Sequence, residues 1–140
     1  DYLAFMVSLS AAEIDKARAE YSAAGRHYKE AIERANRSVL AAGLQEEQSI
    51  IYAACASAHV KAGELDLAQS VLDYAFKRDG AEPGLWVARA MLQEATGAPH
   101  MAVASVDYAL AIWADADQDY VDYQDALELK QQLEAAMGSD

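Results

Sequence analysis

Residues 61–76 read KAGELDLAQSVLDYAF, and residues 95–110 read ATGAPHMAVASVDYAL. Placed one above the other, the two stretches align without a gap at a distance of 34 residues. The coinciding positions are Gly63 with Gly97, Ala68 with Ala102, and Asp73-Tyr74-Ala75 with Asp107-Tyr108-Ala109. A fixed period of this length indicates an array in which each unit is one supersecondary element.

The composition favours helices throughout the array. The chain of 140 residues is 54% hydrophobic, much of it alanine, and contains only two prolines. Alanine is the best helix former, and this length is enough for one domain with a real core. The spacing of apolar residues and turn residues predicts seven helices, at about 11–25, 27–42, 46–62, 65–78, 83–96, 99–113 and 119–137.

Several local signals set these helix ends. The stretch Ser10-Ala-Ala-Glu13 has the form of a capping box and predicts a helix start near residue 11. Gly25, Gly43 and Gly63 are expected to end helices, and Pro83 and Pro99 to begin them. The loops are short, so consecutive helices are expected to pair antiparallel.

Residues 49–82 and 83–116 each resemble the tetratricopeptide repeat. The two units carry the same kind of residue at six positions, counted from the first residue of each unit. These are an aromatic at position 4 (Tyr52, Trp86), a small residue at position 8 (Ala56, Ala90), glycine at position 15 (Gly63, Gly97), alanine at position 20 (Ala68, Ala102), an aliphatic residue at position 24 (Leu72, Val106) and alanine at position 27 (Ala75, Ala109). Two departures are His59 and Gln93 at the eleventh place, where the family has tyrosine. The resemblance implies an all-α, right-handed α-solenoid of antiparallel helix pairs.

The whole chain is interpreted as about three units and a C-terminal capping helix. An earlier, looser unit is expected at 11–48, where Gly25, Ala31 and Ser38 echo the repeat. Helix 119–137 is expected to cap the array, as such arrays require. Residues 1–10 are apolar, lie before the predicted repeat domain at 11–140, and are expected to continue into upstream sequence of a longer protein.

The family resemblance also implies a concave groove lined by the first helices of the units. Carried over place by place, the partner-binding residues are Ile50, Ala53, Ser57, Val60 and Lys61 in one unit, and Gly84, Val87, Met91, Glu94 and Ala95 in the next. Family members that clamp a terminal carboxylate use Lys, Arg and Asn at such places, whereas this chain has Ala53, Ser57, Val87 and Met91. An amphipathic helix or apolar peptide is the better-fitting partner. The alternative is that Val87 and Met91 only pack against a neighbouring helix.

The sequence predicts no catalytic, metal or cofactor site. The three histidines lie in separate elements, and no phosphate-binding or nucleophile motif is present. Cys55, among alanines, is interpreted as a buried inert thiol. Residues 115–128 carry six acids and no base, but Tyr120 and Ala126 occupy the places where a calcium loop needs Gly and Glu. A weak cation site at 115–128 remains an alternative. The simpler interpretation is that these acids lie at the start of a helix and complement its dipole.

A non-enzymatic protein-interaction module is therefore the leading hypothesis. A structural, oligomerising or regulatory segment of a larger bacterial signalling protein is the alternative, and a small-molecule sensor or enzyme is the third. The net charge of −12 argues against nucleic-acid and anionic-membrane partners, and favours neutral or basic proteins, with self-association left open. The sequence does not settle the compartment, although a cytoplasmic location is favoured.

Overall fold

A computed structural model describes residues 2–37, 45–78, 80–115 and 120–138. These described ranges form seven α-helices and contain no strand. The helices are α1 (Tyr2–Ala17), α2 (Tyr21–Arg37), α3 (Gln45–Lys61), α4 (Leu65–Arg78), α5 (Pro83–Ala95), α6 (Pro99–Ile112) and α7 (Val121–Gly138).

The helices form three successive hairpins followed by a single helix. Helices α1 and α2, α3 and α4, and α5 and α6 pair with each other. The first helix of each later hairpin packs on the hairpin before it, through the contacts of α3 with α2 and of α5 with α3 and α4. Each pair therefore covers an apolar face that its neighbour cannot bury alone. The predicted all-α solenoid is confirmed.

The turns within the three hairpins have the same backbone form. Gly63 has φ 78° and Gly97 has φ 83°, two residues after the ends of α3 and α5. Ala19 stands two residues after the end of α1 and has φ 58°. The first hairpin carries alanine at the place where the other two carry glycine. Because the left-handed conformation is strained for alanine and free for glycine, the first turn is strained and the other two are not.

This equivalence corrects the predicted register of the first unit. The expected helices at 11–25 and 27–42 are wrong, because α1 ends at Ala17 and α2 runs through Gly25. The capping-box signal at Ser10 lies inside α1, because apolar residues from Tyr2 onward extend the helix and bury Phe5, Ser8 and Ala12. Gly43 lies outside the described residues. In the corrected register Ala12, Ala24 and Ala31 match Ala56, Ala68 and Ala75, and all six are buried.

Gly25 is a packing glycine, and the helix does not end there. A Cβ atom at this position would stand 2.6 Å from Cε1 of His59. The His59 ring lies against α2 with its Nδ1 3.0 Å from Oε1 of Glu64, and Ser22 donates a hydrogen bond to the other Glu64 oxygen. The bond with His59 lowers the pKa of Glu64. Glycine thus allows α2 and α3 to meet, with the His59 ring buried between them.

The core divides into two clusters along the array. The larger cluster runs from Phe5 to Leu92 and unites α1 to α5. The smaller cluster, made of Ala90, Ala102, Val106 and Leu133, joins α5 and α6 to α7. Helix α7 places Ala126 and Leu133 against the last hairpin, which is the position expected of the capping helix. None of the described helices has the length and apolar character needed to span a membrane.

Candidate functional site

The predicted groove residues lie together on one concave surface. A groove of about 940 Å³ follows α1, α3, α5 and α7 across the array. All seven of the principal predicted contacts line it, namely Ile50, Ala53, Ser57, Lys61, Val87, Met91 and Glu94. Val60, Gly84 and Ala95, which the same places of the repeat supply, line it as well. Their role in binding a partner stays a prediction.

Small residues make the floor of the groove. Ala53, Ala54, Ser57 and Ala58 on α3 lie beside Gly84 on α5. A Cβ atom at Gly84 would stand 3.2 Å from the Cβ of Ala53, so the two helices approach closely here. The larger side chains of Val87 and Met91 are partly exposed to the groove. The floor is therefore an apolar surface made of these small side chains together with Val87 and Met91.

The first hairpin supplies a wall of the groove that the sequence reasoning missed. Glu13 and Lys16 on α1 and Tyr21 on α2 all line the surface. The Nζ atom of Lys61 lies 5.2 Å from the centre of the Tyr21 ring, a cation–π contact that joins the wall to the floor. In the corrected register Glu13 and Lys16 hold the ninth and twelfth places, the same places as Ser57 and Val60. The sequence prediction assigned Gly25 to the fifteenth place of the repeat, and this assignment concealed the match. The spacing of Ala12, Ala24 and Ala31 could have revealed it.

Helix α7 forms the opposite wall. Asp122, Asp125, Leu129 and Gln132 line the groove, together with Glu128. The spacing of three, four and three residues puts the first four on one side of a helix, which is the sequence signal that could have identified them. Treating α7 only as a cap left this wall out of the predicted site.

Charge is distributed unevenly between the two walls. The first wall and the adjoining end of α3 carry Lys16 and Lys61, whereas the described part of α7 brings three acids and no base to the groove. No described basic side chain forms an ion pair with Glu94, Asp125 or Glu128. The groove therefore has a predominantly acidic side, at α5 and α7, and a side of mixed charge at the first hairpin.

Two tyrosines report the local electrostatics of these walls. The buried Tyr28 hydroxyl donates a hydrogen bond to Glu13, and burial followed by this carboxylate raises the pKa of Tyr28. The Tyr120 hydroxyl donates to Oδ2 of Asp122 over 2.9 Å, which raises the pKa of Tyr120. Both phenols remain protonated donors, so each helps to hold a groove carboxylate in place.

The described residues present no group of three or more His, Cys, Asp and Glu side chains that could hold a metal ion. The cation site considered at 115–128 includes Asp117 and Asp119, and these two residues lie outside the described residues. Cys55 is buried, its thiol lies 3.6 Å from the carbonyl oxygen of Gly25, and burial raises its pKa to about 12. These properties agree with the predicted inert thiol.

Comparison with known proteins identifies the fold. The chain is similar to the TPR2B domain of yeast Sti1 in its structure as a complex with pHsp70, with a TM-score of 0.70 and 16% sequence identity. The alignment covers 96% of this chain and 98% of that chain. Neither a protein-family model nor a curated protein matches the sequence. The chain has the tetratricopeptide-repeat fold along nearly its whole length.

Proposed function

We propose that this tetratricopeptide-type array is a protein-interaction module that holds a peptide or helix of a partner protein in its concave groove. The observation that carries the proposal is an apolar floor on α3 and α5 that lies between two polar walls supplied by α1, α2 and α7. The complex described for the yeast neighbour supports a protein partner for this fold. The groove holds no constellation from which we would derive a catalytic step.

The chemistry of the groove favours a partner segment with one apolar face and basic residues. An apolar face would cover Ala53, Val87 and Met91, and each buried aliphatic side chain would contribute about 1.5–3 kcal/mol. Basic side chains would meet Asp125 and Glu128 on α7. Charges at the edge of such an interface mainly direct the approach and orientation of the partner, so binding should weaken as salt is raised.

The binding test is affinity capture from native cell extract with wild-type protein and with Val87→Glu/Met91→Glu, read by mass spectrometry. Two acids in the apolar floor should abolish capture of a specific partner, because each would be buried without an opposite charge. Both side chains are partly exposed, so the helical fold should survive, as circular dichroism would show.

The matched control is Leu67→Glu/Met101→Glu. It makes the same change of charge at two exposed apolar residues that do not line the groove. Capture retained by the control and lost by the groove variant supports the proposal. Equal capture by all three proteins would place the binding surface elsewhere, and collapse of the groove variant would mean that Val87 and Met91 are packing residues.

A further inference from the structure

The lysines of the groove belong to its first-hairpin side. Lys16 near the end of α1 and Lys61 at the end of α3 both line the surface and are exposed. The cation–π contact with Tyr21 holds the ammonium group of Lys61 against the first wall. In the ranges that the structure describes, neither lysine forms an ion pair with a carboxylate. This side of the groove therefore presents ammonium groups that no described side chain neutralises.

The acid of the first wall is engaged within its own hairpin. The Glu13 carboxylate accepts the hydrogen bond of the buried Tyr28 hydroxyl. Counted with the two lysines, the charged residues that line this side of the groove carry a net charge of +1. The side at α5 and α7 brings five acids and no base to the surface, a net charge of −5, from Glu82, Glu94, Asp122, Asp125 and Glu128. The groove is thus electrically polarised along the array.

A partner segment that crosses the groove meets opposite fields at its two ends. Basic side chains are attracted to the acids of α7 and repelled by Lys16 and Lys61. Acidic side chains have the reverse preference. Charges in an interface steer the approach of a partner, and the juxtaposition of like charges suppresses the wrong arrangement. The apolar floor can hold a segment in either direction, so the charges at its two ends decide which direction is bound.

The packing of the helices sets how far apart the partner's charges must be. Helix α5 packs on α3, and α7 contacts α5. Since packed helix axes lie about 8–10 Å apart, Lys61 and the acids of α7 are separated by roughly 16–20 Å across the array. An extended segment covers this distance with about 5–6 residues, and a helix covers it with about 11–13.

We propose that the groove accepts its partner segment in one orientation only, an inference that rests on the function proposed above. An acidic side chain of the segment lies at Lys16 and Lys61, an apolar centre covers Val87 and Met91, and basic side chains lie at α7. The partner is therefore a segment of mixed charge in which acid and base stand on opposite sides of an apolar stretch. A uniformly basic segment would leave the two lysines facing like charge.

The first test is selection from a random-peptide display library on the wild-type chain. Peptides that also bind Val87→Glu/Met91→Glu are discarded, so those that remain depend on the groove. Each peptide is fused to the display protein at its C-terminal end, so only side-chain carboxylates are available to the lysines. The enriched peptides should share one order of charges, with an acid and a base separated by an apolar stretch of the length given above. Enriched peptides with bases at both ends, or with no common order, would overturn the orientation and leave the proposed function standing.

The second test is a charge swap at Lys61, with Lys77→Glu as the matched control. Lys77 is an exposed lysine of α4 that does not line the groove and forms no ion pair with a described residue. Lys61→Glu should weaken binding of a selected peptide at least about fivefold, because it replaces an attraction by a repulsion, and the control should leave the affinity unchanged. A peptide whose acid is replaced by lysine should regain affinity for Lys61→Glu. Circular dichroism checks that both variants keep the helical fold.

The outcomes separate this inference from the proposed function. Equal effects of Lys61→Glu and Lys77→Glu, or no recovery by the swapped peptide, would overturn the orientation alone, since the peptides would still depend on Val87 and Met91. Failure to enrich any groove-dependent peptide would count against the proposed function itself and would overturn the inference with it.

Discussion

The first hairpin and the two later hairpins solve the same packing problem with different residues. All three bury alanine at the eighth, twentieth and twenty-seventh places of the unit. The later hairpins turn on Gly63 and Gly97, and the first turns on Ala19. At the twenty-fourth place the first hairpin buries Tyr28, where the others bury Leu72 and Val106. Its fourth place holds Ser8, where the others hold Tyr52 and Trp86.

The comparison shows which features of the repeat the fold requires. The small residues recur in every unit, because they set how closely two helix backbones approach within a hairpin. The turn residue and the large core residue vary, since strain at one position is compensated by packing at others. A unit can therefore keep the architecture after losing the glycine that makes it recognisable in the sequence.

The largest effect is expected from truncating the residue at the twenty-fourth place of each unit. Tyr28→Ala should cost about 3–5 kcal/mol and Leu72→Ala about 2–5 kcal/mol in free energy of unfolding, because each leaves a cavity in the core. Val106→Ala removes the fewest atoms and should cost least. Urea denaturation of the three variants measures the order. Equal losses of unfolding free energy would show that stability depends on the apolar area buried in the whole array rather than on the core residue of each unit.

The joint between the first two hairpins should be sensitive to one methyl group. Gly25→Ala should destabilise the protein by about 1–3 kcal/mol, because the new Cβ overlaps the His59 ring. Without that contact the same change would stabilise a helix by roughly 0.8–1 kcal/mol. Thermal or urea unfolding gives the sign.

Combining Gly25→Ala with His59→Ala tests the cause. The two substitutions should show favourable coupling, since removing the ring makes room for the methyl group. Additive losses would instead mean that Gly25 is needed for some reason other than the approach of His59.

The smallest effect is expected at the turns, where the units should respond with opposite sign. Ala19→Gly should raise the free energy of unfolding by about 0.5–1 kcal/mol. The relief of left-handed strain in the folded state should exceed the free-energy cost of the greater conformational entropy of the unfolded chain. Gly63→Ala and Gly97→Ala should destabilise by a similar amount, and no atom beyond the adjacent residues lies within 4 Å of either added Cβ to complicate the result. Chemical denaturation under identical conditions measures all three changes. A loss of stability for Ala19→Gly would contradict the equivalence of the three turns.

The sequence predicted the second and third units well and the first unit poorly, for a physical reason. Gly63, Gly97, Pro83 and Pro99 act on their own backbone, so their effect can be read locally. Gly25 acts through the ring of His59, 34 positions away in the chain, and looks like a helix terminator when read alone. The same error in register hid Glu13 and Lys16 from the predicted groove.

The sequence by itself determined the helical class, the repeat period and the groove-facing places of the two regular units. Periodicity and turn chemistry are local properties, and a repeat transfers them from one unit to the next. Only the tertiary structure decided that α1 begins near the start of the chain, that Gly25 is a contact between hairpins, and that α7 completes the groove with an acidic wall. These features depend on which helices meet, and that is settled by packing between residues far apart in the sequence.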